Sequence, residues 1–138
     1  MSYIAWAIIA MVTYGIMITL LKISLRDIPP EAAVFVTNTI LVVSALLWAI
    51  YRGVKIPEHL ALNQPTLLLL LSGVVLSVSI ISFYMALSRG PASTVAPLFG
   101  MNIAVVSVLG FLVLKEPVNP ERVIGILMAG GAIFLLTR

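Results

Sequence analysis

Of the chain's 138 residues, 62% are hydrophobic and 9% charged, and its mean hydropathy is +1.19. A soluble domain carries about a quarter of its residues as charges, so the apolar surface of this chain is expected to face lipid. Its net charge of +3 comes from Lys and Arg scattered singly beside apolar runs, which suits headgroup anchors and excludes a nucleic-acid interface; the absence of Cys excludes disulfides and thiolate chemistry.

Five apolar segments, about 3–21, 32–51, 66–88, 95–114 and 120–137, each meet or approach the roughly 17–25 residues a bilayer core requires. The expected fold is therefore an all-α integral membrane protein with five transmembrane helices in a single domain, 1–138. No Asp, Glu, Lys, Arg or His falls in the central part of any segment. In the first segment, Met1-Ser2-Tyr3 supplies no basic start, so a span is expected rather than a signal peptide. Its middle carries Thr13-Tyr14-Gly15, where the Tyr14 ring suits stacking on, or hydrogen bonding to, a small molecule.

The second segment opens on Pro30 and Glu31, suited to a first helical turn because Pro loses no bond there and a carboxylate meets the positive end of the dipole. Asn38 lies inside it and has two readings: a substrate contact in a cavity, or interhelical hydrogen bonding worth about 0.6–2 kcal/mol. Trp6, Trp48 and Tyr51 lie near helix ends, as interfacial aromatics should. The connection 52–65 holds Arg52, Lys55, Pro57, Glu58, His59 and Pro65 and reads as a solvated loop. His59 has no second His and no Cys to join it, so no metal site is expected.

The third segment places Ser72, Ser79, Ser82 and Ala86 near one face, with Tyr84 beyond them. Serines in such helices commonly bond their own backbone, and Tyr84 reads either as a substrate contact or as part of the interfacial belt. Gly90-Pro91 is expected to end this helix, Gly by permitting a left-handed cap and Pro by refusing to continue. In the fourth segment Pro97 removes a backbone donor, as a hinge or as a passive kink. Asn102 follows as a second interior amide, and Ala96, Gly100 and Ala104 repeat every fourth residue. Asn119-Pro120-Glu121 reads as cap, first position and acidic first turn of the fifth helix, whose Gly125, Ala129 and Ala132 suit close helix packing, within one subunit or across a dimer.

Five spans would put Arg52, Lys55, Lys115 and Arg122 on one side and Lys22, Arg26, Arg89 and Arg138 on the other. The positive-inside rule needs an excess on one side, so two readings stay open: insertion in both orientations, or one orientation set by something subtler.

From Tyr84 onward the order of motifs is informative: Tyr84-Met85-Ala86-Leu87, Pro91-Ala92-Ser93-Thr94-Val95-Ala96-Pro97-Leu98, Leu109-Gly110, Leu114-Lys115-Glu116-Pro117, Gly125 and Gly130-Gly131-Ala132. Together with Trp6, Gly15 and Pro30 they resemble the EamA-type domain of the drug/metabolite transporter superfamily, over nearly the whole chain. Most such transporters carry two five-span repeats of opposite orientation, and this chain resembles one repeat alone. The resemblance implies half of an inverted-repeat transporter, completed by an antiparallel homodimer in the inner membrane of a prokaryotic cell. It also places the first, third and fourth helices around the cavity, which favours Tyr14, Tyr84 and Asn102. The related four-span multidrug transporters carry a first-helix Glu for proton coupling; this chain has none, which leaves proton-coupled export of cationic drugs without its carboxylate. Glu116 reads as an interfacial cap or a partner of Lys115 or Arg122.

The expected function is alternating-access transport of a small organic solute by a homodimer. The alternatives are a non-transporting subunit that docks with a partner protein, or a small flippase for a lipid-linked substrate. Candidate substrate contacts are Tyr14, Asn38, Ser79, Tyr84 and Asn102. No cofactor is expected, and no catalytic grouping or phosphate-binding loop suggests an enzyme.

Overall fold

The computed structural model describes residues 2–61, 63–113, 115, 117 and 120–136. These are helical almost throughout: α1 (Tyr3–Ser24), α2 (Pro30–Tyr51), the single turn α3 (Ile56–His59), α4 (Gln64–Arg89), α5 (Ala92–Gly100), α6 (Asn102–Leu112) and α7 (Pro120–Leu136). Four stretches are long and apolar enough to cross a membrane: α1, α2, α4 and the broken helix Ala92–Leu112. The apolar part of α7, Val123–Leu135, is shorter, so four candidate spans and one shorter apolar helix stand where five spans were expected. The chain divides into two compact units, residues 1–88 and 89–138.

Local chemistry sets the helix ends. Ser2 Oγ accepts from the Ala5 N–H at 3.3 Å, starting α1. Pro30 and Glu31 occupy the first turn of α2. The end of α2 is a Schellman turn: Val54 N–H donates to the Ala49 carbonyl at 3.0 Å and Gly53 N–H to that of Ile50 at 2.9 Å, with Gly53 at φ 66°. That left-handed cap was expected at Gly90, which does not take a positive φ. The third long helix begins at Gln64 rather than 66 because Asn63 Oδ1 accepts from both the backbone N–H and the hydroxyl of Thr66, at 3.1 and 2.9 Å. Pro91 stands at the N-cap of α5, which opens at Ala92 rather than 95.

In the unit 1–88, α1 and α2 form an antiparallel hairpin across the turn at 25–29, and α4 runs parallel to α1. Its buried apolar side chains, Ile18, Leu21, Ala33, Phe83, Tyr84 and Leu87, all come from the end where α1 stops, α2 starts and α4 stops. At the opposite end Leu67–Leu71 of α4 and Ile50 of α2 are more than half exposed. Such surface on single-pass segments is tolerable only against lipid or another apolar partner.

In the unit 89–138, α5 packs against α7, and the Met101 Cε methyl lies 3.9 Å from where a Cβ would sit on Gly130. The expected fourth helix is broken: α5 stops at Gly100 and α6 starts at Asn102. Around Met101 the bonds shorten to three-residue steps, Met101 N–H to the Leu98 carbonyl at 3.1 Å and Ala104 N–H to the Met101 carbonyl at 2.9 Å. Pro97 lies inside α5, one turn before the break. It withholds the donor that the Ser93 carbonyl would take, and Gly100 then resists departure from helix geometry least.

Candidate functional site

The unit 1–88 holds a chain of aromatic and hydroxyl contacts that ties its three long helices together. The Tyr14 ring on α1 lies 6.4 Å from Phe83 of α4, tilted by 40°. Phe83 in turn meets Tyr84 edge-on, centroids 6.3 Å apart, a separation at which the positive ring edge meets a negative face. The Tyr84 hydroxyl lies 2.8 Å from that of Thr37 on α2. Thr37 already donates its single proton to the Ala33 carbonyl at 2.9 Å, so Tyr84 donates and Thr37 accepts. With 4% of its surface exposed, Tyr84 is a buried tie and not a member of an interfacial belt.

One residue further along α2 a groove of about 470 Å³ opens between α2 and α4. Asn38 lines it, with Val34, Phe35 and Val43 on its own helix and Leu76 and Ile80 opposite. Two hydroxyls on the walls are used by their own helices: Thr39 donates to the Phe35 carbonyl at 2.7 Å and Ser77 to that of Gly73 at 2.9 Å. Asn38 donates one N–H to the Val34 carbonyl at 2.8 Å. Its carbonyl oxygen and second N–H have no partner among the described residues. No ionisable side chain lines the groove.

A third tie between helices was invisible in the sequence. The Lys22 ammonium, half-buried at the end of α1, donates to the Leu87 carbonyl in the last turn of α4 at 2.7 Å.

The other expected site residues are distributed as follows. Ser79 is half-buried and does not line the groove; Ser77 does. Asn102 is the first residue of α6, with its side chain exposed, and Pro97 is half-buried in α5. Both belong to the unit 89–138, so the candidates fall on two separate units. On α7 Ala129 is half-buried and Ala132 exposed, and nothing lies within 4 Å of where a Cβ would sit on Gly125. His59 ends α3, exposed. Nearby Lys55 and Glu58 form an exposed ion pair at 3.0 Å, of the kind worth little. Glu116 and the expected cap Asn119 lie outside the described residues.

Long apolar helices, polar ties at one end and a groove with a single half-used amide define a polytopic helical membrane protein. The EamA-like transporter family matches the chain over residues 1–138, and the chain belongs to that family. It is also similar, at 27% identity over 137 residues, to a protein of Sinorhizobium sp. described as an uncharacterized transporter in the cobO 3′ region; the match covers 97% of this chain and 96% of that relative. No solved structure matches.

Proposed function

We propose that the chain carries a small, uncharged and largely apolar organic solute across the membrane by alternating access, as a homodimer whose two copies insert antiparallel. The observation that carries this reading is the α2–α4 groove, in which Asn38 keeps one donor and one acceptor unused between apolar walls. A charged solute would lose its hydration there and meet no countercharge, whereas an uncharged hydrogen-bonding group would pair with the amide. Membership of a transporter family supports the activity.

A homodimer fits this reading, because a second copy inserted the other way would supply the inverted counterpart of this unit. In this reading α7 is the fifth span, and Gly125 with Ala129 and Ala132 is where the copies meet. Tyr14, Ser79 and Asn102 are kept as further solute contacts, and Pro97 with the Met101 break as the flexible point of the fourth span. The location is the inner membrane of a prokaryotic cell.

The test is solute flux in proteoliposomes across a broad panel of neutral and charged metabolites, for the native chain and for Asn38→Leu. Concentration-dependent uptake of a neutral solute that Asn38→Leu lowers by about 10-fold or more is expected. A purified chain that moves nothing would overturn the reading in favour of a subunit requiring a partner.

A further inference from the structure

Three polar side chains line the α2–α4 groove, Asn38 and Thr39 on α2 and Ser77 on α4, and all three lie near the middle of their helices. Thr39 donates its hydroxyl proton to the Phe35 carbonyl, and Ser77 donates its own to that of Gly73. Each oxygen keeps its lone pairs, because a hydroxyl bonded back to its own helix is still an acceptor. Asn38 donates one N–H to the Val34 carbonyl and keeps the other, together with its carbonyl oxygen. Among the described residues the groove therefore offers three acceptor oxygens against one donor. The rest of its lining is apolar, and hydrocarbon brings no donors to redress the balance.

This imbalance selects among the groups a solute can present. A ketone or ester brings only acceptors, so it takes the single Asn38 N–H and leaves three oxygens unpaired. An alcohol brings one donor. An ammonium brings three, but loses its hydration and meets no countercharge in the lining. A primary carboxamide brings two N–H donors and one carbonyl without any charge.

We propose that the solute presents a primary carboxamide on an apolar body. Its carbonyl accepts from the free Asn38 N–H, and its two N–H groups donate to Asn38 Oδ1 and to the hydroxyl oxygen of Ser77 or Thr39. Ser77 and Thr39 thereby become specificity-determining residues, although their own protons are already used. The inference rests on the groove being the solute site and adds the chemical group that the site reads.

Benzamide and acetophenone test this, since they have nearly the same shape and differ by an NH2 in place of a CH3. Asparagine occurs as Asn38, Asn63, Asn102 and Asn119. Isotopic labelling of asparagine nitrogen in the full chain, in nanodiscs, resolves their side-chain amides by NMR, and Asn38→Leu identifies the signal of Asn38. Titration against that signal gives a dissociation constant for each compound. Benzamide is expected to bind about tenfold tighter than acetophenone or better, for the two hydrogen bonds it adds. Ser77→Ala or Thr39→Val is expected to weaken benzamide about fivefold and leave acetophenone unchanged. A side chain that only packs would move both compounds alike.

Equal constants for the two compounds overturn the proposal, and so does an Asn38 signal that benzamide never shifts. Benzamide binding that neither variant weakens selectively also overturns it. Flux in proteoliposomes is read separately. Preferential binding of benzamide without flux of any solute removes the transport reading and leaves a carboxamide-binding groove. Flux of a neutral solute by a chain with no preference for benzamide removes this inference alone.

Discussion

Tyr84 and Thr37 are joined by one hydrogen bond of fixed direction, because Thr37 has a single proton and spends it on the Ala33 carbonyl. The acceptor on α2 therefore depends on the helix around it. The bond sits among buried side chains, and it links the N-terminal turns of α2 to the C-terminal turns of α4.

Removing either hydroxyl should weaken this tie measurably. Tyr84→Phe and Thr37→Val are each expected to cost about 1 kcal/mol, with Thr37→Val the more costly because it leaves the buried phenol without an acceptor. A double-mutant cycle on unfolding in bicelles checks this. A coupling indistinguishable from zero would mean the two hydroxyls are neighbours without being partners.

Asn38→Leu should leave folding close to native, since the amide makes one local bond to Val34 on its own helix. Transport should fall by about 10-fold or more, the factor that losing a well-placed hydrogen bond carries. Native stability with native flux would remove Asn38 from the solute path.

Pro97→Ala with Gly100→Ala should turn α5 and α6 into one straight helix. Spin labels on cysteines at Ser93 and Ser107 would then report a separation near the roughly 21 Å of fourteen straight helical residues, longer than in the parent. If the break is the flexible point of the span, flux falls as the distance grows. A straightened helix with native flux would make the break a passive kink.

Gly125 accepts a Cβ within its own unit, since no described atom lies within 4 Å of where that carbon would sit, and the residue is exposed. Gly125→Leu is expected to leave the helices intact and reduce the dimer fraction measured by light scattering in detergent. Unchanged mass would put the dimer contact elsewhere.

Orientation is checked with single cysteines placed beside Arg52 and beside Arg89 and labelled in sealed cells by an impermeant maleimide. Insertion both ways predicts partial labelling at both positions. Labelling confined to one position establishes a single orientation.

Helix identity and several ends were legible in the sequence because each rests on chemistry within one turn: Pro30 with Glu31, Pro91 and Pro120. Other ends were displaced by bonds that composition does not display. Asn63 starts α4 early through Thr66, and the positive-φ cap belongs to Gly53, where a six-residue turn closes, not to Gly90. Pro97 signalled a disturbed helix, but the break came a turn later at the residue least held to helical geometry. Within the site, Tyr84 and Asn38 were visible as polar groups in apolar surroundings. Ser77 was passed over for Ser79 because the α4 face that meets the groove is set by α2, and Thr37 was passed over beside Asn38. Lys22 was counted as a charge near lipid headgroups; its carbonyl partner is 65 residues away, beyond the reach of any local pattern.

At 26 residues α4 is about 39 Å long, against a hydrocarbon core of about 30 Å, while α1 and α2 have 22 residues each. A helix with that excess leans when its ends are to reach the two headgroup layers. A lean of α4 relative to α2 changes the spacing along their facing sides, where the groove runs. Bilayer thickness thereby becomes a control on the groove: lipid chains of different length would change the lean of α4, and with it the width of the opening.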